Sequence, residues 1–260
     1  GHGLTFKSAQ ILKKVKGIAY REKQNVILNP GIGWGDDPAV QSEQFHILGL
    51  PEDGTFASEV VVPVEQLHRK PECLTWEESA ALPLAGTTAY RALFAQGSAK
   101  PDDRILITGI GGGVATFALQ FATAVGAEVW VTSSSTVKID RAIGLGAKGG
   151  FDYSEEGWEK RFVAEVGAPD LIIDSAGGPG YGGLMGLAAP GGRIINYGAT
   201  AGVPESIDMF KLFWKQLRLQ GSTMGSPEDF SGMVDLVQKY QIKPVIEAVY
   251  SLEDTNHAID

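Results

Sequence analysis

The chain has a single cysteine, Cys73, among its 260 residues. One cysteine cannot form a disulfide within the chain, nor can it supply a cysteine-based structural zinc site, which needs four ligands. The sequence also lacks a run of about 20 apolar residues and an N-terminal apolar segment of the signal-peptide type. These absences argue against a disulfide scaffold and a membrane span, and they predict a soluble, cytoplasmic protein.

Positive charge is scarce as well, because 22 Lys and Arg face 31 Asp and Glu, for a formal net charge of −9. Nucleic acids and anionic lipid surfaces are bound by clustered positive charge. The exception is residues 7–23, which we interpret as a solvated surface; the cluster consists of Lys7, Lys13, Lys14, Lys16, Arg21 and Lys23. The balance predicts no nucleic-acid or membrane partner and leaves a small molecule as the expected substrate.

Short apolar runs alternate with helical stretches from about residue 101 onward. The apolar residues of 114–125 recur at the spacing of one helix face, which is typical of a helix packed on a sheet. The predicted strands are residues 104–108, 128–132, 171–174 and 193–197, with a weaker one near 150–153. Continuous apolar strands alternating with helices predict an α/β fold with a doubly wound parallel sheet.

The front of the chain has a different pattern. Residues 26–28 and 55–62 favour strands among short segments broken by Pro and Gly, and residues 245–250 return to strand character after a helix predicted at 227–239. We therefore expect two domains, one inserted in the other. Residues 1–95 with 243–260 form a small, mostly β domain, and residues 96–242 form the α/β domain.

A glycine-rich turn follows the first α/β strand, with Gly109, Gly111, Gly112 and Gly113 leading into Val114 and the helix. Backbone with few Cβ atoms lets N–H groups approach a pyrophosphate, and the helix N-terminus adds partial positive charge. A tight turn with surplus glycine is the alternative. The strand before and the helix after favour a dinucleotide site.

The end of the second strand distinguishes the two nicotinamide dinucleotides. An NAD site carries a carboxylate about 20 residues past the glycine turn, where it binds the ribose 2′-hydroxyl. Ser133 stands 21 residues after Gly112, followed by Ser134, Ser135 and Lys138. Hydroxyls and an ammonium attract the 2′-phosphate of NADP, which favours NADP(H). The serines can also be a plain helix N-cap, with Lys138 a surface lysine.

From about residue 26 onward the chain resembles the zinc-independent, quinone-oxidoreductase-like branch of the medium-chain dehydrogenase/reductase superfamily. The resemblance extends over more than 200 residues. Its motifs are DGTFA at 53–57, ALPLAGTTAY at 81–90, the glycine turn, Gly146-Ala147 and PGGR at 190–193.

The resemblance implies a GroES-like catalytic domain, here partial, and a nucleotide domain that binds NAD(P)H. It further implies hydride transfer to or from a carbonyl or a conjugated double bond. In zinc members a cysteine ligates the metal four residues before the threonine that matches Thr88; here that position is Leu84. Since leucine cannot bind zinc, no metal site is expected.

The same resemblance assigns cofactor contacts to several positions. Lys138 and Tyr153 match residues that hold the 2′-phosphate in NADP-using members. Residues beside the nicotinamide or lining the cofactor are matched by Thr88, Ser175, Ala176, Gly177, Tyr197 and Gly198.

These observations predict an NADPH-dependent oxidoreductase that transfers hydride to a quinone, enone or aldehyde without zinc. Much of the front of the family's catalytic domain has no counterpart in this sequence, so no proton donor is assigned. The alternative is an NADP(H)-binding module with little or no catalysis. A hydrolase is disfavoured because no GxSxG nucleophile motif is present.

We also expect a homodimer. Residues 217–224 are predicted to form the last strand of the parallel sheet, which leaves an unpaired edge. Members of the resembled family join two such edges across a two-fold axis, and Leu217 and Leu219 would be covered by the contact. The alternative is a monomer whose edge is shielded by its own helices.

The aromatic residues just before this strand are expected on a helix face that packs on the core: Phe210, Phe213 and Trp214.

Overall fold

The computed structural model describes residues 24–256 and the backbone of Ala9–Gln10. The side chains of the basic cluster at residues 7–23 lie outside the described residues. The chain divides into two compact units, residues 1–87 with 224–260 and residues 88–223. The first unit is therefore discontinuous in sequence. Its boundaries lie at 87/88 and 223/224, whereas the sequence prediction put them at 95/96 and 242/243.

The discontinuous unit is built from short antiparallel strands and two capped helices. Strands β1 (Ala9–Gln10), β2 (Asn25–Leu28) and β5 (Leu67–Arg69) form one sheet, and β3 (Gly31–Ile32) pairs with β4 (His46–Ile47). Helices α1 (Trp76–Ala81) and α8 (Pro227–Tyr240) both begin with a capping box, in which the first-turn acidic side chain and the capping hydroxyl satisfy each other's backbone N–H.

Two strands predicted for this unit are wrong. Residues 55–62 and 245–250 form no strand. Val61 is 98% exposed and Val249 67% exposed, so their β-branched side chains pack against no neighbouring strand. Strand propensity reflects packing on a half-buried pleated surface, and neither segment has such a surface to pack on.

His68 of β5 is packed against α8, with its ring centroid 4.5 Å from that of Phe230. Burial lowers the pKa of His68, and the charge of Asp235 opposes the shift only partly. The folded state therefore disfavours protonation of the His68 ring, which the unfolded chain undergoes below about pH 6.5.

The free energy of unfolding is expected to fall as the pH drops from about 7 to 5, because His68 is protonated more readily in the unfolded chain, and His68→Leu should flatten this dependence. Urea midpoints at both pH values test it, and an unchanged slope in the variant would contradict the assignment.

The continuous unit carries the parallel sheet. Helix α2 (Pro83–Tyr90), in which the chain passes from one unit to the other, continues into a π-helical segment at Arg91–Gln96. The strands are β6 (Arg104–Ile107), β7 (Glu128–Thr132), β8 (Gly149–Phe151), β9 (Leu171–Asp174), β10 (Arg193–Asn196) and β11 (Arg218–Gly221). The helices are α3 (Gly113–Ala124), α4 (Thr136–Gly144), α5 (Trp158–Glu165), α6 (Tyr181–Leu187) and α7 (Met209–Trp214).

The six strands are parallel in the order β11-β10-β9-β6-β7-β8. Strands β6, β9 and β10 are buried on both faces, since adjacent side chains on each strand are at most 1% exposed: Ile105 and Leu106, Ile172 and Ile173, Ile194 and Ile195. This confirms the doubly wound α/β fold predicted from continuous apolar strands. No described helix is both long and apolar enough to cross a membrane.

The expected packing of α7 on the core is wrong. Phe210, Phe213 and Trp214 are 60–71% exposed, and Phe210 and Trp214 stack on each other with their ring planes 12° apart. The core contact of this helix comes from Leu212 instead, which packs against the cluster that also contains Leu217. The aromatic spacing indicated one apolar face, but the face is turned away from the domain's own core.

Candidate dinucleotide site

The carboxyl ends of β6 and β9 meet at the centre of the sheet. From β6 the chain order runs outward to β7 and β8 on one side, and from β9 to β10 and β11 on the other. Between β6 and β9 the order of the strands along the chain reverses direction, which is called a topological switch point. The loops that leave the two strands there diverge to opposite faces of the sheet and open a crevice, where open α/β sheets bind ligands.

The glycine turn after β6 has an open backbone. Gly109 and Gly111 adopt positive φ angles of 64° and 138°, which favour glycine. A Cβ added at Gly109 or Gly112 would meet no atom within 4 Å. Helix α3 begins at Gly113 without a side-chain cap, so its first N–H groups are available to a ligand.

The turn is held to the neighbouring strand. The backbone N–H of Gly109 donates to Oγ1 of Thr132 over 3.1 Å, and that of Ile110 donates to the Thr132 carbonyl over 2.8 Å. Val114, in the first turn of α3, is half-buried. The open space, the uncapped helix and the fixed turn suit a pyrophosphate group.

Among the three serines after β7, the structure exposes the middle one. Ser133 is 4% exposed, and its Oγ accepts a hydrogen bond from the Ser135 N–H over 3.1 Å. Ser134 is exposed and accepts a hydrogen bond from the Tyr153 hydroxyl over 3.3 Å. Ser135 occupies the N-cap of α4 without a side-chain cap bond. The serines thus do not cap the helix in the ordinary way, and the exposed hydroxyls belong to Ser134 and Tyr153.

Lys138 connects the glycine turn with this second strand end. A Cβ on Gly111 would lie 2.9 Å from Cδ and 3.3 Å from Nζ of Lys138, so the lysine side chain passes directly beside the turn. Lys138 also stands in the first turn of α4, where no acidic residue is present. A cation there adds to the positive end of the helix instead of offsetting it. This arrangement suits a phosphate, whose charge would compensate both.

The loops after β9 and β10 are joined by backbone hydrogen bonds. Residues 175–178 pair with residues 199–202 through Thr200 N to Ser175 O, Ala201 N to Ala176 O and Gly178 N to Gly202 O, over 2.8–3.2 Å. A Cβ at Gly177 would lie 2.7 Å from the Gly202 carbonyl oxygen, and one at Gly198 would lie 2.9 Å from the Ser175 carbonyl oxygen. The two loops therefore form one platform, which includes Ser175, Ala176, Gly177 and Gly198 of the predicted site.

Tyr197 follows β10 at the base of this platform and is half-buried. Burial raises its pKa, a hydrogen bond with the Ser175 side chain lowers it, and the charge of Asp174 raises it again. The net shift is upward, so the hydroxyl keeps its proton at neutral pH and can act as a hydrogen-bond donor.

Asp174, the last residue of β9, lies beneath the loops and is 2% exposed. Its Oδ1 accepts from the Thr108 hydroxyl over 2.5 Å, and its Oδ2 accepts from the Gly177 N–H and from Nδ2 of Asn196, each over 2.9 Å. Sequence reasoning missed this residue. The signal was a carboxylate closing an otherwise apolar strand, LIID.

Thr88 is buried in α2, and Leu84, at the position matching the zinc ligand, is half-buried. Among residues 24–256, no group of three or more His, Cys, Asp or Glu side chains is arranged to hold a metal ion. The contact of Thr88 with a nicotinamide and the absence of zinc stay predictions.

The profile of the zinc-binding dehydrogenase family matches residues 113–239. Over the full chain, the zinc-type alcohol dehydrogenase-like protein YogA of Leptosphaeria maculans is 36% identical, and the alignment spans 73% of that relative. The chain belongs to the zinc-type alcohol dehydrogenase-like family of medium-chain dehydrogenases/reductases. Bovine quinone oxidoreductase-like protein 2, another relative of this chain, is 27% identical over 92% of the chain and 74% of its own length.

Solved structures of the family agree in fold. An NAD-dependent alcohol dehydrogenase superposes with a TM-score of 0.89 at 30% identity, covering 98% of this chain and 78% of the other. A 2-octenoyl-CoA carboxylase reductase, solved with NADP and 2-octenoyl-CoA, superposes with a TM-score of 0.87 at 26% identity and is spanned over 63% of its length. The chain is an oxidoreductase of this family that binds a nicotinamide dinucleotide.

Proposed function

We propose that this protein is an NADPH-dependent reductase that works without zinc and transfers hydride to a carbonyl carbon or to a carbon conjugated with a carbonyl, in a quinone, an enone, an enoyl thioester or an aldehyde. The observation that carries the preference for NADPH is the position of Lys138. This lysine stands in the first turn of α4, which has no side-chain cap, and its side chain passes beside Gly111 of the glycine turn. No carboxylate follows β7 to compete for this position, since residues 133–138 read SSSTVK.

Each part of the site then has a task. The open turn at Gly109–Gly113 receives the pyrophosphate at the start of α3, and Lys138 with the Ser134 and Tyr153 hydroxyls receives the 2′-phosphate. The platform of residues 175–178 and 198–202 supports the nicotinamide end. The bound cofactor supplies the hydride; the protein contributes orientation and electrostatics.

The substrate class follows from chemistry that the relatives share. Quinones, enones and enoyl thioesters all accept hydride at a carbon conjugated to a carbonyl, and the structure solved with 2-octenoyl-CoA holds such a thioester. Leu84 at the family's zinc-ligand position offers no Lewis acid to polarise a plain alcohol or aldehyde. We therefore rank conjugated substrates above aldehydes.

The experiment is NADPH oxidation, followed at 340 nm, with a panel of one quinone, one enone, one aldehyde and one 2-enoyl-CoA. Turnover of a conjugated substrate with NADPH, and at least tenfold weaker kcat/KM with NADH, supports the proposal. NADPH binding without turnover of any member would instead favour the alternative, a binding module with little or no catalysis.

We further propose a homodimer formed through β11. This strand pairs only with β10 within the described sheet, and the neighbouring helix α7 exposes Met209, Phe210, Phe213 and Trp214 by 60–71%. An unpaired edge beside an apolar surface is a typical interface. Leu217, expected in this contact, is already buried in its own domain, and the half-buried Leu219 packs partly against the same core cluster.

Light scattering at micromolar concentration is expected to give a mass near twice 27.6 kDa. Leu219→Lys should shift the mass toward the monomer, because an ammonium at the centre of the joined edges is poorly solvated. Val163→Lys, the same type of change on α5, is the control and should leave the mass unchanged. A wild-type chain that runs as a monomer across this range contradicts the dimer.

A further inference from the structure

We propose that Asp174 is a positioning residue, whose buried carboxylate holds the strand end before the glycine turn and the loop platform in the arrangement that binds the dinucleotide. The inference rests on the proposed function and adds a residue that touches neither substrate nor cofactor. It is drawn from the hydrogen bonds around this one side chain.

The carboxylate joins the loop that follows it to two segments that are distant in sequence. Thr108 follows β6 immediately before Gly109, Gly177 belongs to the loop after β9, and Asn196 ends β10. Each donates to Asp174 over 2.5–2.9 Å. These segments carry the glycine turn and both halves of the platform, so one side chain sets their spacing.

A carboxylate is an expensive group to bury at 2% exposure. It is retained only where donors compensate it, and here a hydroxyl, a backbone N–H and an amide do so. An apolar side chain at this position could pack in the same volume, but it would leave the Gly177 N–H and the Asn196 amide without this acceptor. What the carboxylate adds is a fixed geometry of the loops.

The backbone of Gly177 shows why the anchor is needed. Gly177 and Gly178 both have positive φ angles, 61° and 64°. Glycine adopts this conformation easily, but it loses more backbone conformational entropy than other residues when it is held there. The Gly177 N–H bond to Asp174 and the Gly178 N–H bond to Gly202 fix two successive peptide units. Without the first of them, the loop that carries Ser175 and Ala176 keeps its bonds to the loop after β10 but loses the side-chain bond that fixes it against the end of β9.

An asparagine can keep the same three partners, with the direction of the Thr108 bond reversed. Its Oδ1 would accept from Gly177 and Asn196, and its Nδ2 would donate to the Thr108 hydroxyl. That hydroxyl can turn toward the Ile173 carbonyl, 3.4 Å from its Oγ1 in the structure. Asp174→Asn therefore removes the charge and keeps the geometry, whereas Asp174→Ala removes both.

The test is fluorescence titration of NADPH with the wild-type full chain and three variants, at a temperature where each is folded by circular dichroism. We expect Asp174→Ala to raise the NADPH Kd at least tenfold and Asp174→Asn to raise it less than threefold. Ile194→Ala, a fully buried position on β10, is the control for a general loss of stability and should stay within twofold of the wild type.

A Kd for Asp174→Ala within twofold of the wild type, or an equal rise in the Ile194→Ala control, overturns the positioning role. If Asp174→Ala does not fold, Asn196→Ala and Thr108→Val each remove one donor; Kd values for both within twofold overturn it as well. A wild-type protein that binds neither dinucleotide overturns the proposed function together with this inference, whereas tight wild-type binding with insensitive variants overturns the inference alone.

Discussion

Replacement of Arg193 by Met is expected to lower the free energy of unfolding by about 3–5 kcal/mol, the cost of breaking a buried ion pair from one side. Its Nη2 lies 2.7 Å from Oδ2 of Asp103, with the two side chains 7% and 10% exposed. Its Nη1 also donates to the carbonyls of Gly97 and Ser98, each over 2.9 Å. Methionine fills similar volume but leaves the Asp103 carboxylate buried without its cation.

Urea denaturation followed by circular dichroism measures this loss. Arg161→Met is the matched control, because Arg161 pairs with Glu155 at 45% and 52% side-chain exposure, where an ion pair contributes at most about 1 kcal/mol. The double variant Asp103→Leu with Arg193→Met should recover part of the loss, since no unpaired charge stays buried. Equal losses for Arg193→Met and Arg161→Met would show that burial of the pair contributes nothing.

Replacement of Lys138 by Glu is expected to weaken NADPH binding by about 1–3 kcal/mol, or roughly 5- to 150-fold, the range for a charge-assisted contact. NADH, which lacks the 2′-phosphate, should change by less than about threefold. The physical reason is the position of the lysine beside Gly111 in the first turn of α4. A carboxylate there repels the 2′-phosphate and can accept a bond from a ribose hydroxyl instead.

Titration of each dinucleotide against the wild type and the variant gives the ratio directly. Lys148→Glu is the matched control: it makes the same charge change at an exposed lysine just before β8, at the opposite end of the strands from Lys138. Long-range charge alone would affect both variants equally. Equal wild-type affinity for NADPH and NADH would remove the basis of the prediction.

The sheet was predictable because each central strand is a short apolar run with a helix-period segment after it. Residues 104–108, 171–174 and 193–197 correspond to β6, β9 and β10 to within one residue. The burial of these strands on both faces leaves the sequence few alternatives. Residues 55–62 have an equally favourable composition, but strand formation there depends on a neighbouring strand that a local pattern cannot reveal.

The sequence led to Gly111 and Lys138 as candidate site residues because a glycine-rich turn and a helix start mark them, and their contact with a dinucleotide stays a prediction. The sequence shows that Asp174 ends an apolar strand, but it does not show the partners of this carboxylate, because Thr108 and Asn196 lie 66 and 22 residues away. Ser133 was chosen by counting along the chain. A count gives position along the strand but not the direction of the side chain, and Ser134 is the exposed neighbour.

The close contact between the loops after β9 and β10 limits how this domain can diversify. A Cβ at Gly178 would lie 2.7 Å from Cβ of Ala201 and 2.8 Å from its carbonyl oxygen. A larger residue in either loop therefore requires a compensating change in the other, so the two loops are constrained to evolve as a pair. Substitutions that alter the site meet fewer steric constraints at side chains outside this contact, such as the exposed Pro179.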